Sequence, residues 1–508
     1  MHIDAPFQHR MRRILALDQG TSGSSALVFD ENVAVVGMAD REIAQHYPAS
    51  GHVEHDPMEI FTTTVAVGRE ALAASSTAVE GVAAIGITNQ RETTVIWERA
   101  TGRPIHPAVV WQSRASAEIC EGLRTRGLEP LVRERTGLVI DAYFSASKIR
   151  WILDQIPGAQ RRAEQGELLF GTIDTWLIWK LTGGRLHVTD PSNASRTMLF
   201  DIHRLRWDDD LLLRLDIPRA MLPALVRSSG VVGETDPAHF GRPLPIAGIA
   251  GDQQAALFGQ TCFDAGEAKN TYGTGCFLLA NTGADAAQVE RTGGLLTTVA
   301  WDIGHGARYA VEGSAFITGA AVQWLRDGIG IIGDAAETDA LAAGLRDNGG
   351  VYFVPAFTGL GAPHWDPYAR GLIAGVERGT TRAHLARATL ESIAYQTRDL
   401  VELMRSAGRP IEVLRVDGGG TANHFLMQFQ ADLLGIPVEI SATQETTAQG
   451  AAFLAGLAVG LWPDPAEFRR RRAVATRCEP RMSADERDAL YAQWRQAVER
   501  ARGWAAPA

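Results

Sequence analysis

The stretch "ILALDQGTSGSSALVFD", Ile14 to Asp30, decides how this chain is read. A short apolar run ends at Asp18, a knot of glycine and hydroxyl residues follows, and a second apolar run begins at Ala26. The pattern predicts two strands joined by a Gly/Thr/Ser turn. Glycines let the backbone approach a ligand closely, and successive N–H groups in such a turn form an anion-binding concavity. Thr and Ser hydroxyls add donors. Asp18 at the strand end disfavours a bare phosphate, but it fits if Mg²⁺ lies between the two. The turn therefore suits a Mg-bound polyphosphate, although Asp, Gly, Thr and Ser also build ordinary hairpins. It is not a GxxxxGK[ST] loop, which the chain lacks.

Working outward, the same device returns in the second half. "AKNTYGTGCFLLANTG" (Ala268–Gly283) is again strand, Gly/Thr turn and strand. "IEVLRV" then reads as a strand, followed by Asp417-Gly418-Gly419-Gly420 and the helix-like "TANHFLMQFQADLLG". Elsewhere "VAVVGMADREI" extends the first sheet and "VAAIGITNQ" is a further strand. Asp56-Pro57 is a helix-start signal, a capping side chain before a proline at the first helical position. Leu390, Ile393, Ala394, Thr397, Leu400, Val401 and Met404 fall at helical spacing. This alternation predicts an α/β protein. The repeated hairpin predicts two lobes split near residue 256, 13–256 and 257–508, with an interdomain cleft and a disordered extension over 1–12.

With 508 residues, the chain is too long for one hydrophobic core. A net charge of -10 argues against a general nucleic-acid binder. The four cysteines form no CxxC pair, the pattern of reduced thiols in a cytoplasmic protein. No apolar h-region precedes Ile14. The longest weakly polar run, Gly450–Trp462, is too short for membrane insertion and reads as a closely packed buried helix. The basic run Arg469–Arg472 reads as solvated surface.

Polar residues gather where apolar strands end, the place where open α/β sheets bind ligands. "GITNQRETTVIWE" sets Asn89, Gln90, Arg91 and Glu92 after a strand. An adjacent Arg and Glu can donate to and accept from neighbouring hydroxyls, though such pairs are also plain surface. "VVWQSR" carries Trp111 and Arg114, and "DAYFSASKIRWILD" carries Tyr143 and Lys148. A lone aromatic is more often core than site. "LPIAGIAGDQQAALFGQ" ends a strand in Gly251-Asp252-Gln253-Gln254 and then starts a helix. Asp252 is either a first-turn residue favoured by the helix dipole or a general base aimed at a substrate hydroxyl.

Taken together, these segments resemble the FGGY carbohydrate kinases, from about Arg13 to beyond Trp462. The motifs are "ALDQGT", "GHVEHDPMEI", "TNQRETTVIW", "VVWQSR", "YFSASKIRWIL", "GDQQAALFGQ", "KNTYGTGCF", "QWLRD", "GLGAPHWDPYARG", "GLIAGVERGTTRAHLARATLE" and "VDGGGTANHFLMQFQADLLG". The resemblance implies two ribonuclease-H-like, actin-like ATPase lobes with ATP and substrate in the cleft. The NQRET, GDQQAALFGQ and WQxxR combination is narrower and points to glycerol as acceptor. The implied reaction moves the γ-phosphoryl of Mg-ATP to the terminal hydroxyl of glycerol, giving sn-glycerol 3-phosphate. Arg91, Glu92, Tyr143, Asp252 and Gln253 match glycerol-binding positions, with Asp252 the catalytic base. Trp111 and Phe277 match an aromatic wall around the carbon chain. Thr21, Ser22 and Gly23 match the first phosphate turn and Thr274 the second. Gly319, Gln323, Gly419 and Asn423 match further nucleotide contacts, and Asp18 matches the Mg²⁺-associated carboxylate. Family members form homodimers and homotetramers.

Three departures stand out. Ser25 occupies a position where the resemblance leads one to expect Arg, which removes a cation from the phosphate turn. "VVGETDPAHFGRPLPIAG" lacks the Gly-Gly-Lys-Gly-Gly-type loop that binds fructose 1,6-bisphosphate in regulated members. Gly420 and His424 replace more usual residues around the adenosine turn. The competing readings are a kinase of the same family for erythritol, threitol, xylulose or glyceraldehyde, and an actin-like ATPase that is not a kinase.

Overall fold

Arg13–Gln19 and Gly23–Phe29 form a tight antiparallel hairpin, with Ile14 opposite Phe29 and Gln19 opposite Ser24. Ile14 to Leu17 and Ala26 to Phe29 are fully buried, as strands covered on both faces must be. The computed structural model describes residues 12–286 and 294–505. The expected N-terminal extension lies outside the described residues except for Arg12, whose guanidinium donates to the Val459 carbonyl.

The described chain divides into two compact units. The first comprises residues up to Thr261 together with Thr298–Arg308 and Thr447–Arg471, and the second holds the remainder. The sequence suggested one break near residue 256. Two later segments return to the first unit instead, and neither return carries a linker-like composition.

A six-stranded sheet forms the first unit's centre, in the order Ser229–Glu234, Pro245–Gly251, Val82–Asn89, Arg13–Gln19, Gly23–Phe29, Val35–Glu42. Arg13–Gln19 pairs parallel with Val82–Asn89, which in turn pairs parallel with Pro245–Gly251. All three strands therefore end on the same side, at Gln19, Asn89 and Gly251. Helix Pro57–Ala74 begins as its sequence dictates, with Asp56 Oδ1 accepting from the Met58 amide at 2.8 Å and proline in first place. The apolar run at Gly450 forms helix Thr446–Ala458. It lies directly on the sheet at Gly86 and Gly248, neighbours in register. A Cβ on Gly248 would come within 2.6 Å of the Ala455 amide, and one on Gly86 would collide with the Ala451 carbonyl. Only glycine allows that approach.

The second unit repeats the plan. Ala268–Tyr272 pairs antiparallel with Cys276–Gly283 and parallel with Leu414–Asp417, which pairs parallel with Val438–Ser441. Its seven-stranded sheet thus has the same central order as the first. Helices Arg382–Ser406 and His424–Leu434 cover it, and Trp494 stacks on Tyr395 with centroids 5.3 Å apart. No helix of the described residues is long and apolar enough to cross a membrane. The run Arg469–Arg472 is exposed except at Arg472, as expected, and is also tied down: Arg471 donates to the Glu31 carbonyl at 2.6 Å and Arg472 to Glu439 at 2.7 Å.

Candidate active site

At the three strand ends of the first unit a buried polar set assembles. Val82–Asn89 runs straight into Gln90, whose amide donates to the Gln19 carbonyl at 2.7 Å. Arg91 follows, 3 % exposed. Its Nε lies 3.1 Å from Asp252 Oδ1, its Nη1 3.3 Å from Gln254 Oε1 and its Nη2 3.4 Å from the Tyr143 hydroxyl. One guanidinium thus joins three of the segments singled out in the sequence. Gly251 makes room for it, since a Cβ there would stand 2.8 Å from Arg91 Cδ.

Asp252 opens helix Asp252–Gly259, where the free amides and the dipole favour its negative charge. The Gln253 amide donates to its Oδ1 at 2.7 Å. Asp252 keeps a quarter of its side-chain surface exposed, while Arg91 and Glu92 are almost wholly covered. Within this set it is the carboxylate most open to an incoming molecule.

Glu92 sits at φ 61°, a left-handed conformation that non-glycine residues rarely adopt. Ser145 and Thr94 hydroxyls donate to its carbonyl at 3.0 and 3.1 Å. Its carboxylate receives Arg196 Nε at 2.6 Å. Such strain persists where the surroundings over-determine it, and it gathers at functional sites.

Trp111 and Tyr143 are not plain core. Their rings meet edge-on at 5.7 Å, and Trp111 Nε1 donates to Thr21 Oγ1 at 2.8 Å. The Tyr143 backbone is held twice: its amide donates to Asp141, which Arg114 pairs at 2.6 Å, and its carbonyl accepts from Lys148 Nζ. Burial of Lys148 pulls its pKa down to about 7.

Sequence reasoning passed over the segment "TDPSNASR", Thr189 to Arg196. Asp190 is its hub, accepting from the amides of Ser192 and Asn193 and from the Ser192 and Ser228 hydroxyls. Asn193 Oδ1 then accepts from Asn89 at 3.0 Å, and Ser192 Oγ accepts from the Gly251 amide at 2.9 Å. The signal was present, because Asp190-Pro191 repeats the Asp56-Pro57 pattern of a capped helix start. Nothing in the sequence marks Arg196.

Below the same sheet end, the first turn closes with the Gly20 amide donating to the Gly23 carbonyl at 2.8 Å. Asp18, Ser22, Gly23 and Ser25 line a shallow groove with Asp40, Arg41 and Glu42. Ser25 pairs with Asp18 on one side and Asp40 on the other.

In the second unit the matching turn closes with the Gly273 amide on the Gly275 carbonyl at 3.0 Å. It borders a cavity of about 430 Å³ that brings together Thr274, Gly319, Gln323, Gly419 and Asn423, with Val322, Leu390, Ile393 and Leu426 as apolar lining. That size and mix suit a small organic ligand. The Gly319 amide donates to the Gly273 carbonyl at 3.1 Å, so Gly319 also shapes the turn. Asn423 caps helix His424–Leu434 and donates to Thr338 Oγ1 at 3.1 Å, which spends much of its polarity on the cavity rim. Phe277 belongs to this unit, opposite Thr271.

The chain matches the models of the FGGY family of carbohydrate kinases, the N-terminal domain over residues 13–259 and the C-terminal domain over 268–459. It is 59% identical to glycerol kinase 2 of Thermotoga maritima over 97% of this chain and 99% of that one. Identity to the glycerol kinase of Symbiobacterium thermophilum is 58%, again over 97% and 99%. Among solved structures, Plasmodium falciparum glycerol kinase with ADP superposes with a TM-score of 0.89 at 36% identity, covering 97% of this chain and 98% of that one. Two units with one sheet plan, each carrying a closed glycine turn, are thus what a domain-by-domain match would require, and the chain belongs to the FGGY family of carbohydrate kinases.

Proposed function

We propose that the chain is an ATP-dependent glycerol kinase that forms sn-glycerol 3-phosphate. The observation that carries this reading is the single guanidinium of Arg91 bound to Asp252 and Tyr143, with Glu92 buried beside it. A small polyol needs several directed donors and acceptors and an apolar flank for its CH groups. Arg91, Glu92, Asp252 and Gln253 supply the first, and Trp111 the second.

In the proposed reaction Asp252 accepts the proton of the terminal hydroxyl as that oxygen bonds to the γ-phosphorus. The bond from the γ-phosphorus to the bridging oxygen breaks, and ADP leaves. Phosphoryl transfer needs mainly positioning and charge stabilisation. Thr274, Gly319, Gln323, Gly419 and Asn423 would hold the nucleotide in their own cavity, and the turn of Thr21, Ser22 and Gly23 is suited to phosphate oxygens.

Among the described residues no cluster of three or more ligating side chains occurs. Asp18 fits Mg²⁺ in the manner usual at nucleotide sites, one carboxylate combined with phosphate oxygens and water. Bound there, Mg²⁺ would offset charge on the phosphates. The same reading takes the protein to be a cytoplasmic homodimer or homotetramer.

The test is ADP release from Mg-ATP with glycerol, erythritol, xylulose, glyceraldehyde or no acceptor. Strong turnover with glycerol alone supports the proposal. Turnover with a different acceptor moves the specificity, and hydrolysis indifferent to every acceptor removes the kinase assignment.

A further inference from the structure

Arg196 stands 104 residues from Glu92 in sequence, yet its Nε meets Glu92 Oε1 at 2.6 Å with both side chains buried. Its guanidinium carbon lies 5.5 Å from the centre of the Tyr143 ring and 5.4 Å from that of Phe144. Charge pairing and ring stacking by one planar group is what Arg offers and Lys does not. The segment that carries it also reaches the roots of three motifs, those of Arg91, Asp252 and Tyr143. Asn193 bonds Asn89, Ser192 bonds the Gly251 amide, and the Thr197 carbonyl accepts from the Ala146 amide at 2.9 Å.

Glu92 is held from both ends. Ser145 and Thr94 fix its carbonyl in the left-handed backbone conformation, and Arg196 fixes its carboxylate. A carboxylate has about four acceptor directions, so pairing with Arg196 sets how the carboxylate is presented.

We infer that Arg196 is a positioning residue for the acceptor site, orienting the Glu92 carboxylate and the Tyr143 ring so that together they select a small polyol. The inference rests on the glycerol reading above. A site built to pair with hydroxyls discriminates strongly, because a mismatched ligand leaves buried polar groups unpaired. That discrimination fails if Glu92 is free to turn. Arg196 is fully buried, so it bears on an incoming molecule through the neighbours it holds.

The experiment compares Arg196→Lys, Arg196→Met, Glu92→Gln and the double variant Glu92→Gln/Arg196→Met by steady-state kinetics, with thermal unfolding alongside. In Arg196→Met the KM for glycerol rises by about 20-fold or more while the KM for ATP stays within about twofold. Arg196→Lys restores part of the loss. In the Glu92→Gln background, Arg196→Met adds less than about a threefold change, as expected if one residue acts through the other. If Arg196→Met does not fold, Arg196→Lys and the double variant carry the same comparison. An unchanged KM for glycerol with a lowered melting temperature overturns the inference, as do independent effects in the double variant. Absence of glycerol-dependent turnover in the unmodified protein removes the glycerol reading itself. Turnover there with an unaltered KM in the Arg196 variants removes this inference alone.

Discussion

Arg91 Nε lies 3.1 Å from Asp252 Oδ1, although 161 positions separate the two residues. The pair joins the ends of two parallel neighbouring strands, and the same guanidinium extends to Tyr143 and Gln254. A flexible point charge cannot satisfy three acceptors in one plane. Arg91→Lys is therefore expected to lower kcat/KM for glycerol by about 100-fold, the scale of losing charge-assisted hydrogen bonds. The KM for ATP should change little. Glycerol kinetics that vary by less than threefold in this variant would show that Arg91 serves only to hold the fold.

Trp111 bonds Thr21 and meets Tyr143 edge-on, so one side chain touches both the first glycine turn and the polar set around Arg91. Trp111→Phe keeps an aromatic ring and removes the N–H. Loss of one hydrogen bond of ordinary strength predicts a rise in the KM for ATP of about three- to tenfold. A larger effect on glycerol than on ATP would place the role of Trp111 in the ring alone.

Ser25 stands between Asp18 and Asp40 on adjacent strands, where the family resemblance leads one to expect a cation. Ser25→Arg should lower the KM for ATP several-fold, with kcat little changed, because it restores positive charge beside the phosphates. An unchanged KM would mean that the groove already supplies what the arginine would.

Much of this was legible in the chain. The two glycine turns, the capped helix at Asp56 and the strand before Asp252 follow from local chemistry, since turns, caps and apolar runs are written in neighbouring residues. Trp111 and Tyr143 could not be told from core packing until their partners were visible. Arg196 and the Asp190 hub were illegible for a different reason. Their partners are distant in sequence, and a lone Arg or an Asp-Pro pair has no spacing that names Glu92 or Gly251. The return of Thr447–Arg471 to the first unit was hidden likewise, because its evidence is the pair Gly86 and Gly248 in two far-off strands.

Asp174 offers a stability test away from the chemistry. It is fully buried and accepts from Thr172 and Thr189 hydroxyls at 2.5 and 2.6 Å. Burial raises its pKa from 3.8 to about 7, against the pull of those bonds. Between these values the folded state holds a proton that the unfolded state has released. The contribution to stability is thus fully present below about pH 4 and is lost as pH rises to about 7. Lys148 acts oppositely: its lowered pKa makes its contribution rise from about pH 7 to about 10.5. Denaturant unfolding of Asp174→Asn and the unmodified protein at several pH values should show the variant gaining relative stability from pH 4 to 7. A constant difference across that range would mean Asp174 titrates normally.

The role of Asp252 as general base is tested by glycerol-dependent ADP release by Asp252→Asn at saturating glycerol and Mg-ATP. Asn keeps the shape of the side chain and cannot accept the hydroxyl proton. A fall in kcat of about 100-fold to 10,000-fold is expected, the range general-base catalysis contributes, with the unfolding transition preserved. Turnover within a few-fold of the unmodified protein would contradict that role, and would leave Asp252 as no more than the first residue of its helix.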